Sequence, residues 1–408
     1  MNRKQLILLV LALIILGGAG LVLHNRSQQS WDTSGTRLGE KLLPNFQVND
    51  VAAIHIKNGD DLDLVKTNDR WCVKQRDDYP ASFAQISDLL IKMGDLKIAQ
   101  DEPIGPSQLE RMHLTDPGKS PDAATLIEFQ DSQGKILQSL LLGKKHTRKS
   151  DRPTPWGDSE MPDGRYVMLK SDPNNVITVS DPLTSVDAKP SGWLDRAFFK
   201  VEKPKSISFV STNATNSWTL AREGESSPWV LSDVKTNEIL DTNKVSSLAG
   251  TLSYPSFDDV VADPAPSKTG LDKAQVVTIK TFDGFVYTLN IGDKTENNYN
   301  VHVDVEGEFP TNRVHEKDEK PEGTKALDKV FADNLKVRQA KLDQEKVVNK
   351  WTYLVSNWMI DPLIRTRAQL MFDKNAKKDG TETGMSIPMP ATDSDSSSPP
   401  PPSDSGNQ

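Results

Sequence analysis

With 408 residues the chain is too long for one ordinary domain and suits two or three. Hydrophobic residues make up 36% and charged residues 26%, enough apolar material for packed cores. The net charge of −8 supplies no basic field, which argues against nucleic acid as a partner, and the single cysteine, Cys72, rules out an intrachain disulfide.

Leu6 to Leu23 runs for eighteen residues without a charge, near the minimum that spans a hydrocarbon core of roughly 30 Å. Arg3 and Lys4 precede it, and a short positive flank stays on the cytoplasmic side. The expectation is a single-pass anchor over residues 1–24, in contact with membrane lipid, with the body outside the cytoplasm. A cleaved signal peptide is the alternative. The run is longer than a usual h-region and no clear A-x-A site follows it. Either outcome exports the body.

After a polar spacer, 25–41, the chain repeats itself. FQVNDVAAIHIKNGDDLDLVKTNDRWCV and FKVEKPKSISFVSTNATNSWTLAREGESSPWVL each read as alternating strands, polar turns and a short strand with tryptophan. Trp71 and Trp229 correspond, 158 residues apart. A helix follows in each, with Ile86, Leu89, Leu90, Met93 and Leu96 in the first and Val245, Leu248 and Leu252 in the second. Next come a turn with leucine (Leu114, Leu271) and a hairpin turning at Gly134 or Gly284, whose second strand is expected to end at Gly143 or Gly292. Near-constant offsets point to duplication. The expected fold class is α+β: an N-terminal transmembrane helix, two tandem related α+β repeats with antiparallel sheets (42–193 and 194–323), a long C-terminal helix and a disordered tail.

His146 to Gly164 is a charged, proline-containing insertion in the first copy, with Trp156 inside it. Thr324 to Ile360 reads as one long helix within a helical segment, 324–373. Leu335, Leu342, Trp351, Leu354 and Trp358 are spaced mainly by threes, fours and sevens. A Ser/Pro/Asp tail, 374–408, follows and cannot bury enough apolar area to order itself.

No catalytic pattern stands out. The histidines have no metal spacing, and phosphate loops, nucleophile elbows and dinucleotide fingerprints are absent. Asp60, Asp61 and Asp63 read as a solvated turn or, less well, as part of a cation loop. Asp258 and Asp259 have no counterpart in the first copy. Cys72 suits a buried thiol better than a nucleophile. Trp71 and Trp229 suit core anchors better than sugar platforms. The expectation is no enzyme and no cofactor or metal, with Trp351, Trp358 and Trp156 as candidate partner-binding residues.

The anchor, Leu42-Leu43-Pro44-Asn45-Phe46, Asp69-Arg70-Trp71, Gly270-Leu271 and Leu289-Asn290-Ile291-Gly292 together resemble the bacterial domain-of-unknown-function 4340 family, over roughly 42 to 325. His113 precedes Leu114 where that family usually has glycine. The resemblance implies no catalytic residues. It implies an extracytoplasmic accessory of an ABC-type transport system, held at the bacterial cytoplasmic membrane. A protein partner, such as transporter subunits, is therefore expected, with a cell-envelope glycan-binding or scaffolding module as the alternative. A reporter that needs export is expected to be active when fused after Gln408; activity there of a cytoplasm-only reporter would refute this orientation.

Overall fold

The computed structural model describes residues 37–372, apart from 103–104, 119, 121, 150–159, 237 and 316–320. The first copy contributes β1 (Ala53–Asn58), β2 (Asp60–Thr67), β3 (Arg70–Val73), β4 (Tyr79–Pro80), helix α1 (Phe83–Asp95), β5 (Ile98–Glu102), β6 (Thr125–Gln130), β7 (Ile136–Lys149), β8 (Glu160–Leu169) and β9 (Val176–Val179). The second contributes β10 (Pro204–Val210), β11 (Trp218–Ala221), β12 (Val230–Leu231), helix α2 (Thr242–Thr251), β13 (Asp259–Val260), β14 (Gln275–Thr281), β15 (Phe285–Thr295), β16 (Asn298–Gly307), helix α3 (Pro321–Glu345) and β17 (Thr352–Ser356).

The strands form two antiparallel sheets, in the orders β4-β3-β2-β1-β6-β7-β8-β9-β5 and β12-β11-β10-β14-β15-β16-β17-β13. Strand for strand the two orders are the same, with β4 as the extra member of the first, so the duplication holds at the level of topology. Ile54 pairs with Leu64 and Leu64 with Val73; Ile207 pairs with Leu220 and Leu220 with Leu231. That register puts Trp71 and Trp229 in matching places. One face of each sheet is apolar, as the alternating burial of β6 and β11 shows. In each copy a capped helix covers it. Ser82 accepts from the amide of Gln85 at the start of α1, and Asp241 from those of Asn243 and Lys244 at the start of α2. Buried residues of both copies join in one continuous core.

The fold class differs from the α+β expectation: the described residues are mostly β, with few helices beside two broad sheets. Short edge segments such as Ile98–Glu102 and Asp259–Val260 carry too little alternation to read as strands, yet they complete the sheets. The expected transmembrane helix and tail fall outside the described residues. No helix among those described is long and apolar enough to cross a membrane.

The C-terminal segment also differs. Helix α3 stops at Glu345, a 3-10 turn covers Lys346–Lys350, and Thr352–Ser356 is strand β17, lying between β16 and β13. The second copy therefore closes well past residue 323, and α3 is an insertion between its last two strands. Thr352, Tyr353 and Val355 are β-branched or aromatic and suit a half-buried strand. The sheet position waiting for them overrides the helical spacing of Leu342, Trp351 and Leu354. The chain ends match too: the amide of Ser82 donates to Trp193 and that of Asp241 to Leu370, while Ala81 bridges Leu194 and Leu240 bridges Met371.

Gly143 and Gly292 do not end their strands. Each sits at a register shift, and the strand runs on to Lys149 or Thr295. A Cβ on Gly143 would strike the carbonyl of Met112, and one on Gly292 the carbonyl of Thr269. The bare residue lets the leucine-bearing loop press onto the strand. Just before that leucine, His113 and Gly270 share a left-handed backbone, φ 55° and 73°. Histidine thus tolerates the conformation that glycine adopts freely. Gly292→Ala is expected to lower stability by about 1–3 kcal/mol. Gly250→Ala, in open space within α2, is expected to be neutral or to raise it by about 0.5–1 kcal/mol. Urea midpoints of the two variants test the contrast.

Candidate functional site: the junction of the repeats and the open end

The β4 end of the first sheet meets the β13–β17 end of the second. Lys74–Arg76 form a 3-10 turn after β3, followed by Asp77 and Asp78, both left-handed. This turn carries the joining groups. Arg76 donates from Nε and Nη2 to the two carboxylate oxygens of Asp259, each at 2.7 Å, and both side chains are about four-fifths buried. The indole of Trp351 donates to the carbonyl of Asp77 at 3.0 Å. Tyr79, on β4, packs edge-on against Trp351, Phe257 and Tyr353, with ring centroids 4.7, 5.7 and 6.1 Å away. Arg196 donates to the carbonyls of Phe257 and Asp258, fixing the linker across the junction.

Beside this seam opens a cleft of about 480 Å³. Tyr79, Phe198, Trp351 and Tyr353 form its aromatic floor, and Arg70, Asp195, Lys200, Glu202 and Lys341 lie around it. Glu345, at the end of α3, is buried at one side. It accepts from the Tyr287 hydroxyl at 2.8 Å and from the Lys200 amide at 3.1 Å. Burial raises its carboxyl above the ordinary range, against the pull of the Tyr287 hydroxyl and Lys341. Burial likewise raises the phenols of Tyr79, Tyr287 and Tyr353. Glu202 behaves oppositely: salt links to Lys341 and Lys200 lower its carboxyl to about 2.

Of the candidate partner-binding residues, Trp351 is buried in the seam and Trp358 is exposed. They do not share a helix face, because β17 separates them. Trp156 lies outside the described residues. The insertion that carries it lengthens the β7–β8 hairpin, with Lys149 opposite Glu160. Trp71 is buried, and Trp229 is half-buried under the guanidinium of Arg222 at 4.9 Å. Asp259 is the junction acid, while Asp258 accepts from Asn298. Asp63 is held by His55 and Gln75, and Asp61 by Lys57. Among the described residues, no group of three or more His, Cys, Asp or Glu is placed to share a metal ion. Cys72 is half-buried, and burial raises its thiol.

The opposite end of the second sheet is open. By the register above, Val230 takes the place of Cys72. The amide of Phe372 donates to Ile239 as that of Asp195 donates to Pro80. Pro80 and Asp195 face the second copy across the cleft. Their counterparts face solvent: Val230, Ile239 and Phe372 are 58, 55 and 52% exposed, and Val234 in the same loop is 53% exposed. The sequence held no signal for this surface, since its apolar residues are neither periodic nor adjacent.

Residues 156–274 match the family described as a domain of unknown function, DUF4340. No curated protein and no solved structure matches the chain. The DUF4340 segment contains the linker residues Asp195, Phe198, Lys200 and Glu202 of the cleft, and Val230, Val234 and Ile239 of the open end. Tyr79, Trp351 and Phe372 lie outside it.

Because the folded pKa of Glu345 is raised, the folded state binds its proton more readily than the unfolded chain does. Its ionised form therefore weighs against folding above that pKa, and the burden lifts as pH falls through it. The stability of the native protein relative to Glu345→Gln is expected to rise between about pH 7 and about pH 4. Denaturant curves for the two that keep a constant separation across this interval would contradict the assignment.

Proposed function

We propose that this chain is a non-catalytic extracytoplasmic binding protein that attaches, through the open end of its second repeat, to a subunit of an ABC-type transport complex. The observation that carries this reading is the contrast between the two equivalent sheet ends. In the first copy that end carries Tyr79 and Arg76 into contact with the second copy. In the second copy it presents Val230, Val234, Ile239 and Phe372 to solvent. Several large apolar side chains exposed at one sheet end are a feature of protein contact surfaces. The family resemblance supplies the transporter association, and the apolar run at Leu6–Leu23, outside the described residues, supports a location at the outer side of the bacterial cytoplasmic membrane. The glycan-binding alternative has less support. Trp156, the aromatic residue on which that reading rests, lies outside the described residues.

Replacing Ile239 and Phe372 together with lysine is expected to leave the thermal transition unchanged. The same change is expected to remove ABC-type subunits, identified by mass spectrometry, from material purified out of detergent-solubilised membranes. Retention of those subunits by the folded double variant, or their absence from the native preparation, would overturn the reading.

A further inference from the structure

The cleft at the junction is separate from the open end and carries an inference of its own. Its floor offers carbon and little else. The Trp351 indole N–H is used by Asp77, and the Tyr353 hydroxyl donates to the carbonyl of Val348 at 3.0 Å. Phe198 lies half-buried, with its ring 4.9 Å from that of Tyr353. The carbon open to a ligand is chiefly that of Phe198, with small exposed parts of Tyr79 and Trp351, and charged side chains stand around it.

The charges around the floor are divided. Lys200 and Lys341 both bind Glu202, and Glu345 is committed to Tyr287 and the Lys200 amide. Asp195 accepts from the amide of Ala197. Arg70 differs: it is exposed at the cleft, and its guanidinium has no hydrogen bond or ion pair among the described residues. An arginine free at the lip of an apolar recess presents a planar fork matched to a carboxylate.

We propose that the cleft between the repeats binds a molecule joining an apolar group to a carboxylate, with the apolar group on the aromatic floor and the carboxylate on Arg70. Two sources share this chemistry: a free aromatic or aliphatic acid, and the C-terminus of a peptide ending in an apolar residue. The volume of the cleft, about 480 Å³, suits either.

Calorimetric titration of the full chain in detergent separates the possibilities, with N-acetylphenylalanine and N-acetylphenylalaninamide as probes. The acid is expected to bind at least tenfold more tightly than the amide. Arg70→Gln is expected to abolish that preference without changing thermal unfolding, because the Arg70 guanidinium makes no hydrogen bond or ion pair among the described residues. Phe198→Leu is expected to weaken both probes. Equal binding of acid and amide, binding of neither, or an acid preference that survives Arg70→Gln would overturn the proposal. Among acids, tighter binding of a phenylalanine-terminated tripeptide than of 3-phenylpropionate points to a peptide terminus as the source. The reverse order points to a free acid. The Ile239 and Phe372 double variant retains the cleft, so loss of transporter subunits from it leaves these titrations unchanged.

Discussion

Tyr79 sits where two sheets become one body. A sheet end exposes unpaired backbone and the flanks of apolar side chains, and it must be covered or blunted. Here the β4 end of the first sheet meets the β13–β17 end of the second. Tyr79 lies among Trp351, Phe257 and Tyr353, and the Arg76–Asp259 fork bolts the neighbouring turn in place. The continuous core, the position of the linker and the existence of the cleft all follow from that seam. The ion pair is partly buried, so its desolvation offsets much of its attraction. The aromatic contact supplies area, and the fork sets the register of one repeat on the other.

A head-to-tail junction between equivalent units is heterologous, joining unlike ends, and leaves one end of each kind unused. The unused ends here are unlike in character. The β5 end of the first sheet runs Ile98–Glu102, and Lys41 bridges Lys97 beside it. The β12 end of the second sheet carries the exposed valines, Ile239 and Phe372. The two equivalent ends thus differ: Tyr79 and Arg76 at the β4 end of the first sheet contact the second copy, whereas Val230, Ile239 and Phe372 at the β12 end of the second are exposed.

The insertions break the symmetry usefully. The first copy joins β8 to β9 by a short turn, whereas the second places α3 between β16 and β17. The end of α3 delivers Lys341 and Glu345 to the cleft, next to linker residues Lys200 and Glu202. One repeat alone could not make this recess. It needs β3 and β4 of the first copy, the linker, and the insertion of the second.

Much of the strand framework was legible from the chain alone. Alternation in segments such as TLIEFQ, paired glycines and matching tryptophans reported two related sheets, because strand burial has a period of two and hairpin turns demand special backbone. The balance of the fold was not legible. β17 carries a spacing compatible with helix, and only the empty place beside β16 makes it a strand. Trp351 looked like a docking residue, and became a floor residue because Tyr79, some 270 positions earlier, packs onto it. The cleft and the open end arise from which sheet edges meet. Edge pairing depends on side chains far apart in sequence and leaves no local pattern, so those features were decided by tertiary packing.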